Sequence, residues 1–105
     1  TGSPGGSTII TTVLHSILNY IEGGMNVAEA VASPRFHHQW YPDVVRYEPG
    51  ALHGDTRRVL ESMGHVLEEV ASMGRCDAII AYPDKNLMQG CSDPRGYGAA
   101  FAVKE

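Results

Sequence analysis

The chain has 105 residues, 43% hydrophobic and 19% charged, with 8 basic and 12 acidic side chains and a formal net charge of −4. That length suits one domain, and the balance suits a folded protein, not a disordered one. The acidic excess and scattered basic residues, with Arg57-Arg58 the only adjacent pair, argue against nucleic acid as a partner. No apolar run reaches membrane-spanning length, because His15, Asn19 and Glu22 interrupt the longest one. There is no recognisable signal peptide and no initiator Met. The run from Thr1 to Lys104-Glu105 is therefore expected to be a processed subunit or an excised domain.

The glycine-rich segment Thr1-Gly2-Ser3-Pro4-Gly5-Gly6-Ser7 opens the chain. Directly after it, Ile9, Ile10, Val13, Leu14, Ile17, Leu18 and Ile21 recur at helical spacing. The pattern predicts a helix from about Thr8 to Ile21, with Ser7 as N-cap and Gly23-Gly24 as the stop. Its broad apolar face needs a sheet or helix to cover it, and the strands available here are too few for it. A short second helix follows Asn26, with Glu29 completing a capping-box spacing. Pro34 ends it by pushing Ser33 out of helical space.

Phe36–Trp40 and Val44–Glu48 read as short strands around Tyr41-Pro42-Asp43, and Pro49-Gly50 as a turn. Asp55 is expected to cap a helix over Thr56–Met63 that Gly64 ends. A strand over Val66–Val70 comes next. A hairpin of Asp77–Tyr82 and Leu87–Gly90 then turns through Pro83-Asp84-Lys85-Asn86. That turn sets Cys76 and Cys91 diagonally, which favours two free thiols over a disulfide. Ser92 to Gly98 reads as loop, and Ala99–Val103 as an apolar end. Helices and strands mixed in this order predict α+β or a layered α/β/β/α piece, a single unit over residues 1–105.

Two adjacent glycines at a helix N-terminus expose backbone N–H groups where an anion or oxyanion can approach closely. The alternative is a corner that uses glycine only for backbone freedom. A Walker loop is excluded, since Gly6 is followed by Ser7-Thr8 and not by Lys, and the dinucleotide spacing is also missed. What remains beside the plain corner is an anion or oxyanion site built from the backbone N–H groups around Gly5 and Gly6.

Thr1 at the first position has the form of an N-terminal nucleophile. Gly2 and Pro4 leave it little room to be positioned, and it reads as the end of a strand. His37-His38 would point to opposite faces of a strand, and His15, His53 and His65 stand at no ligand spacing, so structural roles are expected and no metal or other cofactor. Trp40, Tyr41 and Tyr47 are expected to cover a sheet face. Asp93-Pro94-Arg95-Gly96 reads as a turn with Asp93 bonding locally. Glu68-Glu69 and Arg57-Arg58 read as solvated faces.

Taken together, several stretches resemble the small subunit of γ-glutamyltranspeptidase, an N-terminal nucleophile amidohydrolase. They are Thr1 to Ser7, Ile9-Ile10-Thr11-Thr12-Val13-Leu14, Asn26-Val27-Ala28-Glu29-Ala30, Pro34-Arg35-Phe36-His37-His38-Gln39-Trp40 with Pro42-Asp43, and Ser92-Asp93-Pro94-Arg95. The resemblance runs from residue 1 almost to the end, with the motifs in order.

It implies the C-terminal portion of an αββα sandwich, incomplete without preceding strands. It also implies a zymogen that cleaves itself into large and small subunits, and a new N-terminal threonine that attacks the γ-glutamyl amide of glutathione or a similar donor. The acyl group then passes to water, an amino acid or a peptide. The backbone N–H groups of Gly5 and Gly6 are implied to bind the oxyanion and, with it, the substrate.

The family's nucleophilic threonine, in a Thr-Thr-His context, lies upstream and is absent here. So are the paired serines and the acidic residue that hold the donor. The carboxylate-binding arginine belongs to the large subunit. The resemblance thus implies an inactive fragment whose partners are the large subunit and the rest of the small subunit. The family's location implies an extracytoplasmic protein. Two rival readings stand beside it: a related amidase such as a cephalosporin acylase, and a non-catalytic domain whose exposed helix face drives self-association.

Overall fold

Two separate sheets and three helices build the chain in a computed structural model that describes residues 1–103. Lys104-Glu105, the expected terminus, lies outside the described residues. A 3₁₀ turn over Gly6–Thr8 leads into α1, Ile9–Ile21. The helix thus starts one residue later than its apolar spacing suggests, and Ser7 does not cap it. The Ser7 hydroxyl bonds Gln39 instead, and the N-cap position falls to Thr8, whose hydroxyl donates back to the Gly5 carbonyl at 2.8 Å.

The second helix, α2, spans Val27–Ala32. Its capping box forms as the spacing predicts. The Asn26 side chain accepts the Glu29 N–H at 2.8 Å, and the Glu29 carboxylate takes the Asn26 N–H at 3.1 Å. Ser33 leaves helical space at ψ 143°, as expected of a residue before proline.

Strands β1 (Phe36–His37), β2 (Val45–Tyr47) and β3 (Leu67–Glu69) form one sheet in that order. β1 runs antiparallel to β2, and β3 runs parallel to β2 after crossing over through α3, Gly54–Ser62. β1 is shorter than the β-prone run from Phe36 to Trp40, because Trp40 sits at φ 74° and leaves the ladder. α3 also begins earlier than expected. His53 occupies the N-cap position, since the first intrahelical bond runs from Arg57 N–H to the His53 carbonyl. Asp55 lies in the first turn, paired with Arg58.

The hairpin of β4 (Ala78–Tyr82) and β5 (Leu87–Cys91) forms the second sheet, turning at Asn86 in the left-handed region. Its register sets Cys91 opposite Ala78, so Cys76 and Cys91 are offset and both thiols are free. Gly2 makes an antiparallel bridge to Asp77 just before β4, so the first residues lie along this sheet as a strand end.

The core is small and mostly belongs to α2, β2 and the segment between β3 and β4. It comprises Val27, Ala30, Val31, Val45, Tyr47, Met73 and Cys76. α1 contributes only Thr12 and Ser16 to buried positions, while Ile10 and Ile21 are 75% and 65% exposed. Its apolar face is thus left open, as the shortage of strands anticipates. A radius of gyration of 15.5 Å, against about 13 Å for a compact domain of this length, agrees with an elongated piece lacking a covering layer. Among the described residues no helix is long and apolar enough to cross a membrane.

Candidate functional site

Gly5 and Gly6 lie on the surface, at φ 132° and 58°, in conformations that L side chains rarely adopt. The Gly5 carbonyl is turned into the loop, accepting the Thr8 N–H at 3.2 Å and the Thr8 hydroxyl at 2.8 Å. A Cβ on Gly5 would collide with the Thr8 hydroxyl, whereas one on Gly6 would meet open space. Neither the Gly5 nor the Gly6 N–H has an acceptor among the described residues. Two free donors therefore stand ahead of the 13-residue α1, whose own dipole favours negative charge there. A groove of about 250 Å³ borders the loop at Thr8, with His37, Arg46 and Gly74 among its walls.

The loop is anchored upstream by residues far along the chain. Ser3 Oγ accepts the Arg75 N–H at 3.0 Å, and Gly2 and Asp77 exchange backbone bonds at 3.3 and 3.2 Å. Gly74 packs against α1 so closely that a Cβ there would lie 2.5 Å from Thr12 Oγ1 and 2.9 Å from Thr12 Cγ2. The Thr1 hydroxyl lies 2.9 Å from Cys76 Sγ, a buried thiol that also takes the Ser16 hydroxyl at 3.2 Å. Thr1 is thus occupied structurally, in keeping with its reading as a strand end.

Below the loop sits an ion network that the sequence reading missed. Asp93 bonds locally as the turn reading expects, its Oδ1 taking the Arg95 N–H at 2.9 Å and its carbonyl the Gly96 N–H at 3.0 Å, but it also reaches far along the chain. It is 1% exposed, and its Oδ2 takes Arg35 at 2.8 Å and the Cys76 N–H at 2.6 Å. Arg95 donates to Asp93 Oδ1 at 3.0 Å and to both oxygens of Glu48, at 2.6 and 2.7 Å. Arg35 and Arg95 also bond the carbonyls of Val31 and Ser33, at the C-terminal end of α2. Glu48 in turn accepts the Met73 and Arg35 N–H groups at 2.9 and 2.7 Å.

Burial by itself would raise the Glu48 and Asp93 carboxyls. The donors around them outweigh it, and both are held below the usual carboxylate values. The Glu48 hydrogen bond raises the Arg95 guanidinium in return. The network grips residues 73 and 76, and those flank the anchors of the glycine loop. No local sequence signal marks it, since Arg35, Glu48, Asp93 and Arg95 each stand beside a proline, as turn residues do.

The histidines divide. His37 is 3% exposed, between Thr11 Oγ1 at 2.7 Å and Gln39 Oε1 at 2.8 Å. His38 pairs with Asp43 at 2.9 Å. His15 lies against Phe36, with ring centroids 4.5 Å apart and planes tilted by 50°, and burial lowers its pKa, helped by Arg35 and His37. Among the described residues no cluster of three His, Cys, Asp or Glu side chains could hold a metal.

Trp40 and Tyr41 do not cover a sheet face: they are 86% and 82% exposed, and only Tyr47 is buried. The Trp40 backbone turn carries both rings off the end of β1. Arg57 is not merely solvated. It lies over the Tyr47 ring and donates to its hydroxyl at 3.3 Å, while Glu68 stands 3.7 Å from Arg46.

Comparison with known proteins gives these features a context. The glutathione hydrolase proenzyme of Escherichia coli is 52% identical over 95 residues, which is 90% of this chain and 16% of the relative. The crystal structure of a Helicobacter pylori γ-glutamyltranspeptidase T380A mutant superposes with TM-score 0.84 at 44% identity, covering 90% of this chain and 52% of that one. A Pseudomonas nitroreducens γ-glutamyltranspeptidase mutant, W525D, gives TM-score 0.88 at 36% identity, covering 99% of this chain and 54% of that one. The chain therefore spans under a fifth of the E. coli proenzyme and about half of the matched structures. The α+β arrangement expected from the sequence is thus that of part of a known fold. The γ-glutamyltranspeptidase family itself matches over residues 1–103, and with likeness in sequence and structure agreeing along that length, the chain belongs to this family.

Proposed function

We propose that this chain is the C-terminal part of the small subunit of a γ-glutamyltransferase/glutathione hydrolase, and that it supplies the oxyanion loop. The observation that carries the reading is the pair of acceptor-free, exposed N–H groups of Gly5 and Gly6 ahead of α1. A threonine from the missing upstream portion attacks the γ-glutamyl amide carbon. The carbonyl π electrons move onto oxygen, and the two N–H groups stabilise that charge in a fixed geometry. Collapse expels the amine, which takes a proton, and leaves an acyl-enzyme. Water or an amino acid or peptide amine then attacks the ester and releases threonine.

The partners on this reading are the large subunit and the rest of the small subunit. The open apolar face of α1 supports the latter, because it offers a layer-sized surface for strands that the chain does not contain. The proenzymes named among the relatives support a processed subunit assembly, and the resemblance to the family supports an extracytoplasmic location. The chain alone is expected to be inert, and the exposed helix face would favour self-association of the isolated piece.

The test uses the complete protein that carries this chain, with a γ-glutamyl anilide as donor. Gly6→Val places bulk in the space before the donors, and kcat is expected to fall by about 10²–10³. A folded, self-cleaved Gly6→Val protein with unchanged kcat would refute the site. Turnover by the isolated 105-residue chain would refute its inactivity.

A further inference from the structure

Ser7, the residue that follows the glycine pair, is tethered on its outer side. Its hydroxyl donates to Gln39 Oε1 at 2.7 Å. The same oxygen lies 2.8 Å from His37 Nε2, and the Gln39 amide nitrogen donates to the Tyr41 carbonyl at 2.9 Å. Both ends of the carboxamide thus have partners of the right kind, which fixes its orientation. An amide oxygen cannot donate, so His37 Nε2 carries the hydrogen. In the uncharged ring Nδ1 is then the acceptor for the Thr11 hydroxyl, 2.7 Å away on α1.

The four side chains Thr11, His37, Gln39 and Ser7 close a ring through the start of α1. It begins in the first turn of the helix, crosses the buried end of β1, and returns to the residue next to Gly6. The final link, Ser7 to Gln39, lies at the exposed surface. A single exposed hydrogen bond adds little to global stability. It does restrict which way the peptide units before it face, and orientation is what an oxyanion site requires.

We propose that Gln39, held in place by His37, is a positioning residue for the oxyanion loop and acts through Ser7 to keep the Gly5 and Gly6 N–H groups aimed at the reacting carbonyl. The inference rests on the reading of the glycine pair given above. Gln39 touches no reacting atom. Its loss lets the loop rotate while the donors remain present, so it weakens transition-state binding more than substrate binding.

The experiment compares Ser7→Ala, Gln39→Leu, the double variant, Ser7→Thr and Gly6→Val in the complete enzyme, with a γ-glutamyl anilide as donor. Ser7→Ala and Gln39→Leu are each expected to lower kcat about tenfold with KM held within about twofold. The double variant is expected to match the worse single one, because both cut the same link. Ser7→Thr keeps the hydroxyl and is expected to restore the rate. Unchanged kcat in the single variants, multiplicative losses in the double, or failure of Ser7→Thr to rescue would each overturn the proposal. If Gln39→Leu does not fold, the surface substitutions Ser7→Ala and Ser7→Thr decide the matter by themselves. A Gly6→Val enzyme that loses activity while Ser7→Ala and Gln39→Leu keep theirs would leave the glycine site standing and remove the tether. A fully active Gly6→Val enzyme would remove both.

Discussion

Arg35 and Asp93 meet at 2.8 Å with both side chains shut off from water, and the same carboxylate oxygen receives the Cys76 N–H at 2.6 Å. One acid therefore neutralises a buried cation and orders the segment beside the glycine loop. Replacing Asp93 by Ala strands the Arg35 charge and orphans the Cys76 N–H. The expected cost is about 3–5 kcal/mol, read by denaturant unfolding of the complete protein. A change within about 0.5 kcal/mol would show that the site admits water and that the pair carries no structural role.

The same network sets an acid limit. Hydrogen bonds hold the folded-state pKa values of Glu48 and Asp93 below their ordinary 4.5 and 3.8. Groups shifted this way bind fewer protons folded than unfolded, so their stabilisation is present above the ordinary values and is lost as pH falls through the folded ones. His15 is lowered below 6.5 by burial, with Arg35 and His37 adding to the effect. Its unfolded form binds the proton first, so stability also declines as pH drops from 6.5 towards the folded value and not beyond it. Melting temperatures taken from about pH 7 to about pH 3 should fall in two stages, and His15→Gln should remove only the upper one.

Gly74 stands at φ 68° against Thr12, where no side chain fits. Gly74→Ala combines left-handed strain with overpacking, and a loss of about 1–3 kcal/mol is expected. The displaced segment carries Arg75 and hence Ser3, so on the proposed function γ-glutamyl turnover by the complete protein should fall as well. Preserved stability with preserved kcat would show that the 73–77 segment does not set the loop.

The capping box offers a smaller and purely local effect. Asn26→Ala removes the acceptor of the Glu29 N–H and should cost about 1 kcal/mol, while Asn26→Asp should hold most of it. A thermal melt of each variant distinguishes these outcomes.

Features decided within a few residues were legible in the sequence. The α2 cap needed only Asn26 and Glu29 three positions apart, and the helix stop needed only Pro34. The hairpin turn placed the two cysteines out of register, as found. The place of the glycine pair at the head of α1 was legible for the same reason, since a helix start and two missing side chains are local properties. Boundaries slipped where a residue one or two positions away competed, as when Thr8 took the position assigned to Ser7, and His53 that assigned to Asp55.

The ion network and the tether could not be read off this way. Arg35 and Asp93 are 58 residues apart, Glu48 and Arg95 47, and Ser7 and Gln39 32, and nothing local to either member of such a pair names the other. A turn motif such as Asp93-Pro94-Arg95-Gly96 looks the same whether its charges face water or a cation. Only the packing of α2 against α1 and the hairpin decides that.

The ties that hold residues 1–3 have a kinetic corollary. Ser3 reaches Arg75 across 72 positions and Thr1 reaches Cys76 across 75. Closing loops of that size carries an entropic penalty that local turns escape, so such contacts form after the helices and the hairpin. The glycine corner ahead of α1 is thus among the last features to mature, and a chain caught midway would hold its secondary structure with that corner still unformed. Pulse-labelling exchange that found the Arg75 amide protected before those of α2 would reverse this order.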